Sequence, residues 1–343
     1  MDELRLPAIH IHRDALLDFD AGLSHEWLVT NGLGGYASST AFGVDTRRQH
    51  GLLFATPRPS SQQTLLLARV HDEISFDGDS FPLHAAEYSD GTVSPLGHLF
   101  LEKFSLDGQL PVWRYRCRDV EIEKTLWFER YHDTVFIRYR LLGRRRSIRL
   151  RLQPFVTHRG MGTHTHGDSN WQMAIEAFSH GCQIEAFPGA TPLWLRLDGG
   201  RFAETGFWFW RFFHRHDREC ALDDLEDLYT PGTFEQELLA DHPITFIATT
   251  QLEDLVGDPD VSYQRERARE FQLLRQAGAS ATDPIRQRVV LATDQLAVRG
   301  AAGAAMVNGF PWYTRWVRDA LIALPRLSLP TGREDSAYTA AAG

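Results

Sequence analysis

The sequence has few cysteines, and none of them forms a close pair. Cys117, Cys182 and Cys220 are the three cysteines in 343 residues, and no CxxC motif occurs. A disulfide framework needs an even set of cysteines and a zinc ribbon needs CxxC pairs, so both are disfavoured. Reduced thiols are the simplest interpretation, and they predict a cytoplasmic protein.

The sequence also lacks a long apolar run and an excess of positive charge. No segment approaches the roughly 20 apolar residues that span a bilayer, and the acid-rich amino terminus does not resemble a secretory signal. Lys and Arg number 36 against 45 Asp and Glu, a formal net charge of −9. We therefore expect no membrane and no nucleic-acid partner, because no surplus of cations is present to neutralise phosphates.

Short β-rich runs separated by turns fill the chain from about residue 25 to residue 250. Apolar and basic residues alternate in Thr134–Leu142 and Ser147–Leu152, which places the apolar side chains on one face of a sheet. Asp-Gly pairs such as Asp77-Gly78 read as hairpin turns. No glycine-rich loop stands between a strand and a helix. The pattern predicts a mainly β fold, a large antiparallel β-sandwich.

The character of the sequence changes near residue 255. Ser262 is a candidate N-cap for a helix that Gly278 ends, and Asp283-Pro284 opens a second helical stretch that reaches Val298. We therefore predict a β-sandwich domain over residues 1–252, a helical linker over 253–282, and the start of a second domain over 283–343.

Two polar features near the amino terminus are candidates for ligand binding. Asn31 opens the loop NGLGGY, whose glycines allow close backbone approach, so the loop is either a tight connection or a contact to a polar ligand. Arg48 lies in a segment dense in hydrogen-bonding side chains. Its guanidinium is either a structural ion-pair partner or a ligand clamp.

Aromatic and histidine-rich segments allow further alternatives. The run from Phe207 to Phe213 contains six aromatic residues, which fit either a sugar-stacking surface or a hydrophobic strand. His10 and His12, and His164 and His166, form H-x-H pairs that a metal could use. No third ligand completes either pair in the sequence, so we expect no metal site.

A carboxylate surrounded by aromatic residues stands near the carboxyl end. Trp312, Tyr313 and Trp316 surround Arg318 and Asp319. An apolar setting raises the pKa of a carboxyl group and favours a general acid, whereas a neighbouring arginine favours the ionised form. Asp319 is thus either a catalytic carboxylate or the cap of the helix that follows it.

Five stretches of the sequence, in order, resemble one enzyme family. They are EWLVTNGLGGYASSTAFGVDTRRQHGLLFA, HAAEYSDGTVSPLGHLFLEKFSLDGQLPVWRYR, DDLEDLYTPGTF, VLATDQLAVR and GFPWYTRWVRDALIALPRLSLPTGR. The sequence resembles bacterial and archaeal glycogen debranching enzymes of the amylo-α-1,6-glucosidase type. The resemblance covers nearly the whole chain, and its first and last motifs are long and specific.

The resemblance implies a fold, a reaction and a site. The fold would be a β-sandwich of the supersandwich type, followed by a helical linker and the start of an (α/α)6 barrel. The reaction would be hydrolysis of α-1,6-linked glucose in glycogen or another branched α-glucan, with no cofactor. The last motif places the catalytic carboxylate on Asp319 and the glucose subsite at Trp312, Trp316 and Arg318. Asn31 and Arg48 are further candidates for substrate binding.

The sequence departs from the family pattern at the proposed site. Arg315 stands where the family has an aspartate, and Val317 stands where it has a glycine. The partner carboxylate of the family lies much later in the barrel. Twelve helices with their connections need about 180–200 residues, and residues 283–343 are too few for them. We therefore expect these 343 residues to lack most of the barrel and to be inactive alone.

Two alternatives follow from that expectation. The sandwich could be a stand-alone carbohydrate-binding or scaffold module, either for glycogen or for a separate catalytic chain, and a homo-oligomer stays open. A third, unrelated interpretation is a sugar-binding or epimerase-like sandwich enzyme that uses its histidines. Glucose release from a limit dextrin and retention on glycogen distinguish them.

Overall fold

Most strands pair into two large antiparallel sheets, as the alternating runs of the sequence predict. A computed structural model describes residues 5–57, 62–255, 257–300, 303–307 and 309–310. Nine strands form one sheet and eight form the other, and two small two-stranded sheets accompany them in this part of the chain. The predicted mainly β fold is confirmed.

The strands of the described residues follow one another along the chain with short connections. They are β1 (Ala8–His12), β2 (Glu26–Thr30), β3 (Tyr36–Thr40), β4 (Gly51–Ala55), β5 (Thr64–Phe76), β6 (Asp79–Pro82), β7 (Ala85–Glu87), β8 (Val93–Leu96), β9 (Leu101–Asp107), β10 (Leu110–Cys117), β11 (Val120–Phe128), β12 (Thr134–Leu142), β13 (Ser147–Gly160), β14 (Ala174–Phe178), β15 (Gly181–Glu185), β16 (Leu193–Leu197), β17 (Arg201–Phe213), β18 (Leu225–Leu239), β19 (Ile244–Thr249), β20 (Ala297–Gly300) and β21 (Gly303–Met306).

The strand order places distant parts of the chain side by side. The nine-stranded sheet has the order β1-β9-β10-β11-β12-β19-β16-β15-β14. The eight-stranded sheet has the order β17-β18-β13-β5-β4-β3-β2, and β6 pairs with β5. Strands β7 and β8 pair with each other, as do β20 and β21.

Alternation along β13 shows how the sequence selects the core. Ile148, Leu150 and Leu152 are buried, while Arg149 and Arg151 between them are exposed. The three apolar residues belong to a hydrophobic cluster that contains residues of both large sheets. Burial of one such side chain contributes about 1.5–3 kcal/mol, so the period of two fixes which face of the strand turns inward.

The turn between β5 and β6 has the conformation that its residues predict. Asp77 has φ 52° and Gly78 has φ 85°. Positive φ at both central residues is typical of the type I′ hairpin turn, for which Asp-Gly is a preferred sequence. The hairpin predicted from this dipeptide is confirmed.

Five helices lie among the described residues. They are α1 (Phe19–Ser24), α2 (Arg215–Glu219), α3 (Leu252–Leu255), α4 (Pro259–Gln276) and α5 (Pro284–Leu296), and short 3-10 turns occur at Arg13–Leu16 and Gly97–Phe100. No helix in these ranges is long and apolar enough to cross a membrane.

Helix α4 begins earlier than the sequence predicts. Asp258 is its N-cap, and the carboxylate accepts a hydrogen bond from the backbone N–H of Asp260. The prediction that Ser262 caps this helix is wrong, because its hydroxyl lies one turn inside and accepts a hydrogen bond from Trp127 Nε1 at 3.0 Å. Gly278 has φ 58°, as expected of a residue that ends a helix.

Helix α5 starts as predicted and ends two residues early. The Asp283 carboxylate accepts a hydrogen bond from the backbone N–H of Arg286, and Pro284 is the first helical residue. The chain leaves the helix at Ala297 because β20 pairs there with β21. The division of the chain at residues 252 and 282 stays a prediction.

A buried carboxylate connects α4 to the sandwich. Glu270 accepts a hydrogen bond from the backbone N–H of Gln109, in the turn between β9 and β10, and pairs with Arg267 at 2.8 Å. Gln109 Nε2 donates in turn to the carbonyl of Leu291 in α5. Burial raises the pKa of the Glu270 carboxyl from 4.5 to about 8.

Because the pKa of the Glu270 carboxyl is raised, we expect the protein to lose stability at alkaline pH. The folded protein binds the extra proton between pH 4.5 and 8, so the free energy of unfolding falls as the pH rises through that window. The Glu270→Gln variant has no carboxyl group to ionise at this position. Between pH 5 and pH 9 we expect the free energy of unfolding of the wild type to decrease by at least about 2 kcal/mol more than that of the variant. Urea unfolding at both pH values measures this. Asp260→Asn, an exposed change on the same helix, is the control, and equal slopes in all three proteins would contradict the prediction.

Candidate functional site

Four of the predicted site residues lie outside the described residues. Trp312, Trp316, Arg318 and Asp319 belong to this group, as does the helix predicted to start at Asp319. Their roles stay predictions. Asn31 lies among the described residues, as does Arg48.

The side chain of Asn31 organises the loop that it opens. Its Oδ1 accepts hydrogen bonds from the backbone N–H groups of Leu33 and Gly35, at 2.8 and 2.9 Å. Its Nδ2 donates to the carbonyl of His132 and to Asp133 Oδ1. The side chain is fully buried, and a Cβ at position 35 would lie 2.6 Å from Asn31 Nδ2. The amide therefore holds a tight loop, and its predicted contact with sugar stays a prediction.

Arg48 joins three segments of the chain. Its guanidinium donates to the carbonyls of Gly162 and Asp223 at 2.8 and 3.0 Å. Its backbone N–H donates to Asp217 Oδ2 at 2.8 Å, and its Nε lies 3.4 Å from the same oxygen. The buried arginine thus makes structural contacts in this structure, and its predicted role as a ligand clamp stays a prediction.

A group of ionisable side chains, most of them buried, lies next to Arg48. We call His164, His214, Asp217, Asp223 and Glu226 the His214 cluster. His164 Nε2 is 2.8 Å from His214 Nδ1 and 3.2 Å from Asp217 Oδ2. One ligand atom each from His164, His214 and Glu226 lie within 4.8 Å of one another, which is the spacing of a metal site. The cluster is the one place in the described residues where such a group of side chains meets.

The cluster fixes the charges of its members. Burial lowers the pKa of His214, so the ring is neutral near pH 7. Burial alone would raise the pKa of Asp217, but hydrogen bonds from His164 and His214 outweigh it and hold this pKa far below the usual range. Burial alone would also raise the pKa of Glu226, but the guanidinium of Arg159 outweighs burial and lowers this pKa. Asp217 and Glu226 are therefore carboxylates and the His214 ring is neutral at neutral pH.

Sequence reasoning missed the residues that complete this cluster. His164 was recognised as part of an H-x-H pair, but its neighbour in space is His214, fifty positions away. The spacing of His214 and Asp217 is a usable signal, since residues three apart near a helix start share one side of the helix. The sequence alone does not tell that this helical turn faces the loop of His164.

A second hydrophobic cluster lies apart from the core between the sheets. We call it the outer aromatic cluster. Tyr36 and Phe54 stack in it at 4.4 Å between ring centroids, and Phe310 lies 5.5 Å from Tyr36. Its buried members are Tyr36, Phe54, Leu65, Ala68, Phe155, Phe212, Leu228, Val298, Val307 and Phe310. The eight-stranded sheet therefore packs against the chain that follows α5.

The aromatic run of β17 divides between burial and exposure. Trp208, Phe212 and Phe213 are buried, and Trp208 packs against Trp171 at 5.0 Å. Phe207 is 41% exposed and Trp210 is 48% exposed. The strand interpretation accounts for the buried rings, while the exposed rings keep the sugar-stacking interpretation open.

Two models of known protein families match parts of the chain. A family model described as "Glycogen debranching enzyme N terminal" matches residues 25–245, which is more than half of the chain. The chain belongs to the glycogen debranching enzyme family. A second model, described as "Amylo-alpha-1,6-glucosidase", matches residues 291–341. The resemblance of the sequence motifs is thereby confirmed.

Solved structures with low sequence identity resemble this chain. A human-microbiome protein assigned as a kojibiose phosphorylase has a TM-score of 0.50 at 10% identity, and the alignment covers 95% of this chain and 47% of that protein. A bacterial glucoamylase complexed with acarbose has a TM-score of 0.47 at 8% identity, covering 99% of this chain and 52% of its own. The debranching-family chain thus spans about half the length of these two structures. A search of curated proteins found no match.

The two family segments meet in the structure. The first runs from just before β2 into β19, and the second begins within α5. Val298 and Phe310 of the second segment belong to the outer aromatic cluster with Tyr36 and Phe54 of the first. In this debranching-family chain, the sheet therefore packs against the part of the second segment that contains Val298 and Phe310.

Proposed function

We propose that this chain forms part of a glycoside hydrolase that releases α-1,6-linked glucose from glycogen or a similar branched α-glucan. The observation that carries the proposal is the ordered match of the two family models, over residues 25–245 and 291–341. The second match contains the whole motif in which Asp319 lies. The chain would supply the β-sandwich and the first segment of the catalytic domain.

Each proposed site residue has a chemical role. Asp319 would donate a proton to the oxygen of the departing glucosidic bond, which a carboxyl group does best when an apolar surrounding raises its pKa. Trp312 and Trp316 would stack on the faces of the glucose ring, and Arg318 would donate hydrogen bonds to its hydroxyl groups. Asn31 and Arg48 would contribute to sugar binding from the sandwich side by holding their loops in place.

The sandwich would act as a support for this site. Tyr36, Phe54 and Phe155 form a buried apolar surface on which Val307 and Phe310 pack. Phe310 precedes Trp312 by two residues, so its packing restricts where the site segment starts. Functional residues held near a packed sheet need less ordering when substrate binds.

A cytoplasmic location is part of the proposal. Cys117 and Cys182 are buried and unpaired in the described residues, and Cys220 is exposed and unpaired. Glycogen as substrate supports the same location. A thiol titration of the native and the unfolded protein tests the reduced state, with three reactive thiols expected on unfolding.

Binding of glycogen by the sandwich itself is a second candidate function. Trp210 supports it, because a tryptophan that is 48% exposed beside the buried Trp208 offers a flat face to solvent. Sugars stack on such faces. A separate catalytic chain, or a second copy of this chain, would then be the partner of the sandwich.

Glycogen retention distinguishes the two candidates. We expect glycogen to retard the migration of the chain in native gels. Trp316→Ala should weaken the apparent affinity for glycogen about tenfold, because it removes roughly 1.4 kcal/mol of stacking and burial. Trp210→Ala is the matched control and should bind as the wild type does. The reverse pattern would favour binding by the sandwich, and a wild-type chain that glycogen does not retard would contradict both candidates.

A further inference from the structure

Three metal-ligand atoms from separate parts of the chain meet in the His214 cluster. His164 Nε2 lies 2.8 Å from His214 Nδ1 and 3.2 Å from Asp217 Oδ2, and the last two atoms are 3.6 Å apart. A point equidistant from these atoms is about 1.9 Å from each, so an ion with bonds of about 2.0–2.1 Å would sit just to one side of their plane. We propose that His164, His214 and Asp217 bind a divalent metal ion of the Zn²⁺ class, with water in a fourth position.

Protons satisfy this arrangement less well than a cation. If both ring nitrogens donate to Asp217, two N–H groups are crowded side by side, because their nitrogens lie only 2.8 Å apart. If one nitrogen accepts from the other, it has no proton to donate to the carboxylate of Asp217. A cation receives all three lone pairs at once.

The surrounding residues supply the support that a metal site requires. Histidine ligands commonly direct their other ring nitrogen at a carboxylate. Here Asp223 Oδ2 lies 3.6 Å from His164 Nδ1, and Glu226 Oε2 lies 3.9 Å from His214 Nε2. The backbone N–H of Arg48 donates to the proposed ligand oxygen of Asp217 at 2.8 Å. The backbone of Arg48 therefore orients Asp217, and each histidine has a carboxylate within 4 Å of its other ring nitrogen.

One buried atom of the cluster lacks a partner. In the part of the chain that the structure describes, His164 Nδ1 is buried and has no hydrogen-bond partner within normal length. Its neighbour Asp223 is half exposed, and the adjacent His166 is 63% exposed and bonds to the same carboxylate. A small movement of Asp223 would complete the hydrogen bond to His164, and this exposed edge gives the ion a route to the site.

The donor set selects the metal. Two imidazole nitrogens and one carboxylate oxygen suit Zn²⁺ and related transition metals, whereas Ca²⁺ and Mg²⁺ take six or more oxygen atoms. The ion would join the loop after β13, which carries His164, to the start of α2, which carries His214 and Asp217. Since the two segments are about fifty residues apart, we expect the ion to stabilise their contact.

Zinc and cobalt titrations of the chelator-treated chain test the proposal. We expect one equivalent of Zn²⁺ per chain by mass spectrometry, a rise in the melting temperature, and the intense visible absorption of four-coordinate Co²⁺ when Co²⁺ is added instead. His214→Ala should weaken Zn²⁺ binding by at least about a hundredfold. His216→Ala, on the same helix with its ring half exposed and paired with Glu219, is the matched control and should leave binding unchanged.

The outcomes decide in either direction. A wild-type chain that retains no Zn²⁺, or Zn²⁺ binding that His214→Ala leaves intact, would overturn the proposal, as would Co²⁺ with only the weak absorption of a six-coordinate ion. If His214→Ala does not fold, Asp217→Asn takes its place, because an asparagine oxygen can still accept from the backbone of Arg48. The cobalt spectrum of the wild type reports the coordination number, and the variants assign the ion to these residues.

Discussion

Replacing Asp319 by asparagine is expected to reduce glucose release from a branched limit dextrin to the background of the assay. Under the proposed function, Asp319 gives its proton to the departing oxygen, and a positioned general acid contributes typically about 10²–10⁴-fold in rate. Asparagine keeps the size of the side chain but has no proton of suitable acidity. Binding should persist, so Asp319→Asn should still be retarded by glycogen while it releases no glucose.

The measurement is coupled detection of glucose over long incubations at high protein concentration. This sensitivity is needed because little or no release is expected from these 343 residues by themselves. Asp335→Asn is the matched control, since it removes a carboxylate from the same terminal segment outside the family motif. Release that survives in Asp319→Asn, or that disappears equally in Asp335→Asn, would contradict the catalytic role.

Features set by neighbouring residues were predictable from the sequence. The hairpin turn at Asp77-Gly78 follows from two adjacent residues that tolerate positive φ. The inward face of β13 follows from its alternating apolar and basic residues. The first residue of α5 follows from Asp283 and Pro284. Each of these depends on contacts within a few positions.

Features that depend on partners far along the chain were not predictable in the same way. Ser262 is a favourable N-cap by local rules, but Trp127, 135 positions away, engages its hydroxyl, and Asp258 caps α4 instead. His164 and His214 are on different segments, so no spacing in the sequence joins them. The motif-based site residues depend on the family resemblance, because residue pattern alone left Asp319 between a catalytic and a capping role.

Removing the carboxylate of Glu226 is expected to destabilise the protein by about 3–5 kcal/mol, the cost of leaving a buried charge without its partner. Glu226 on β18 forms a two-point ion pair with Arg159 on β13, and both side chains are between 2% and 3% exposed. Glu226 also accepts a hydrogen bond from the backbone N–H of Thr165. Glu226→Ala would leave the guanidinium and this N–H buried without their acceptor. The expected loss of about 3–5 kcal/mol is a large fraction of the stability of a typical domain.

A matched control for this change lies on the same strand. Glu235 on β18 faces Arg151 on β13, but the two side chains are 49% and 48% exposed and their charged atoms are 3.9 Å apart. Glu235→Ala should therefore change the free energy of unfolding by less than about 1 kcal/mol in the same urea experiment. The double variant Arg159→Met with Glu226→Leu should recover most of the loss, because apolar residues of similar size need no charged partner. If Glu226→Ala and Glu235→Ala had equal effects, or the double variant were less stable than Glu226→Ala, the loss could not be ascribed to an isolated buried charge.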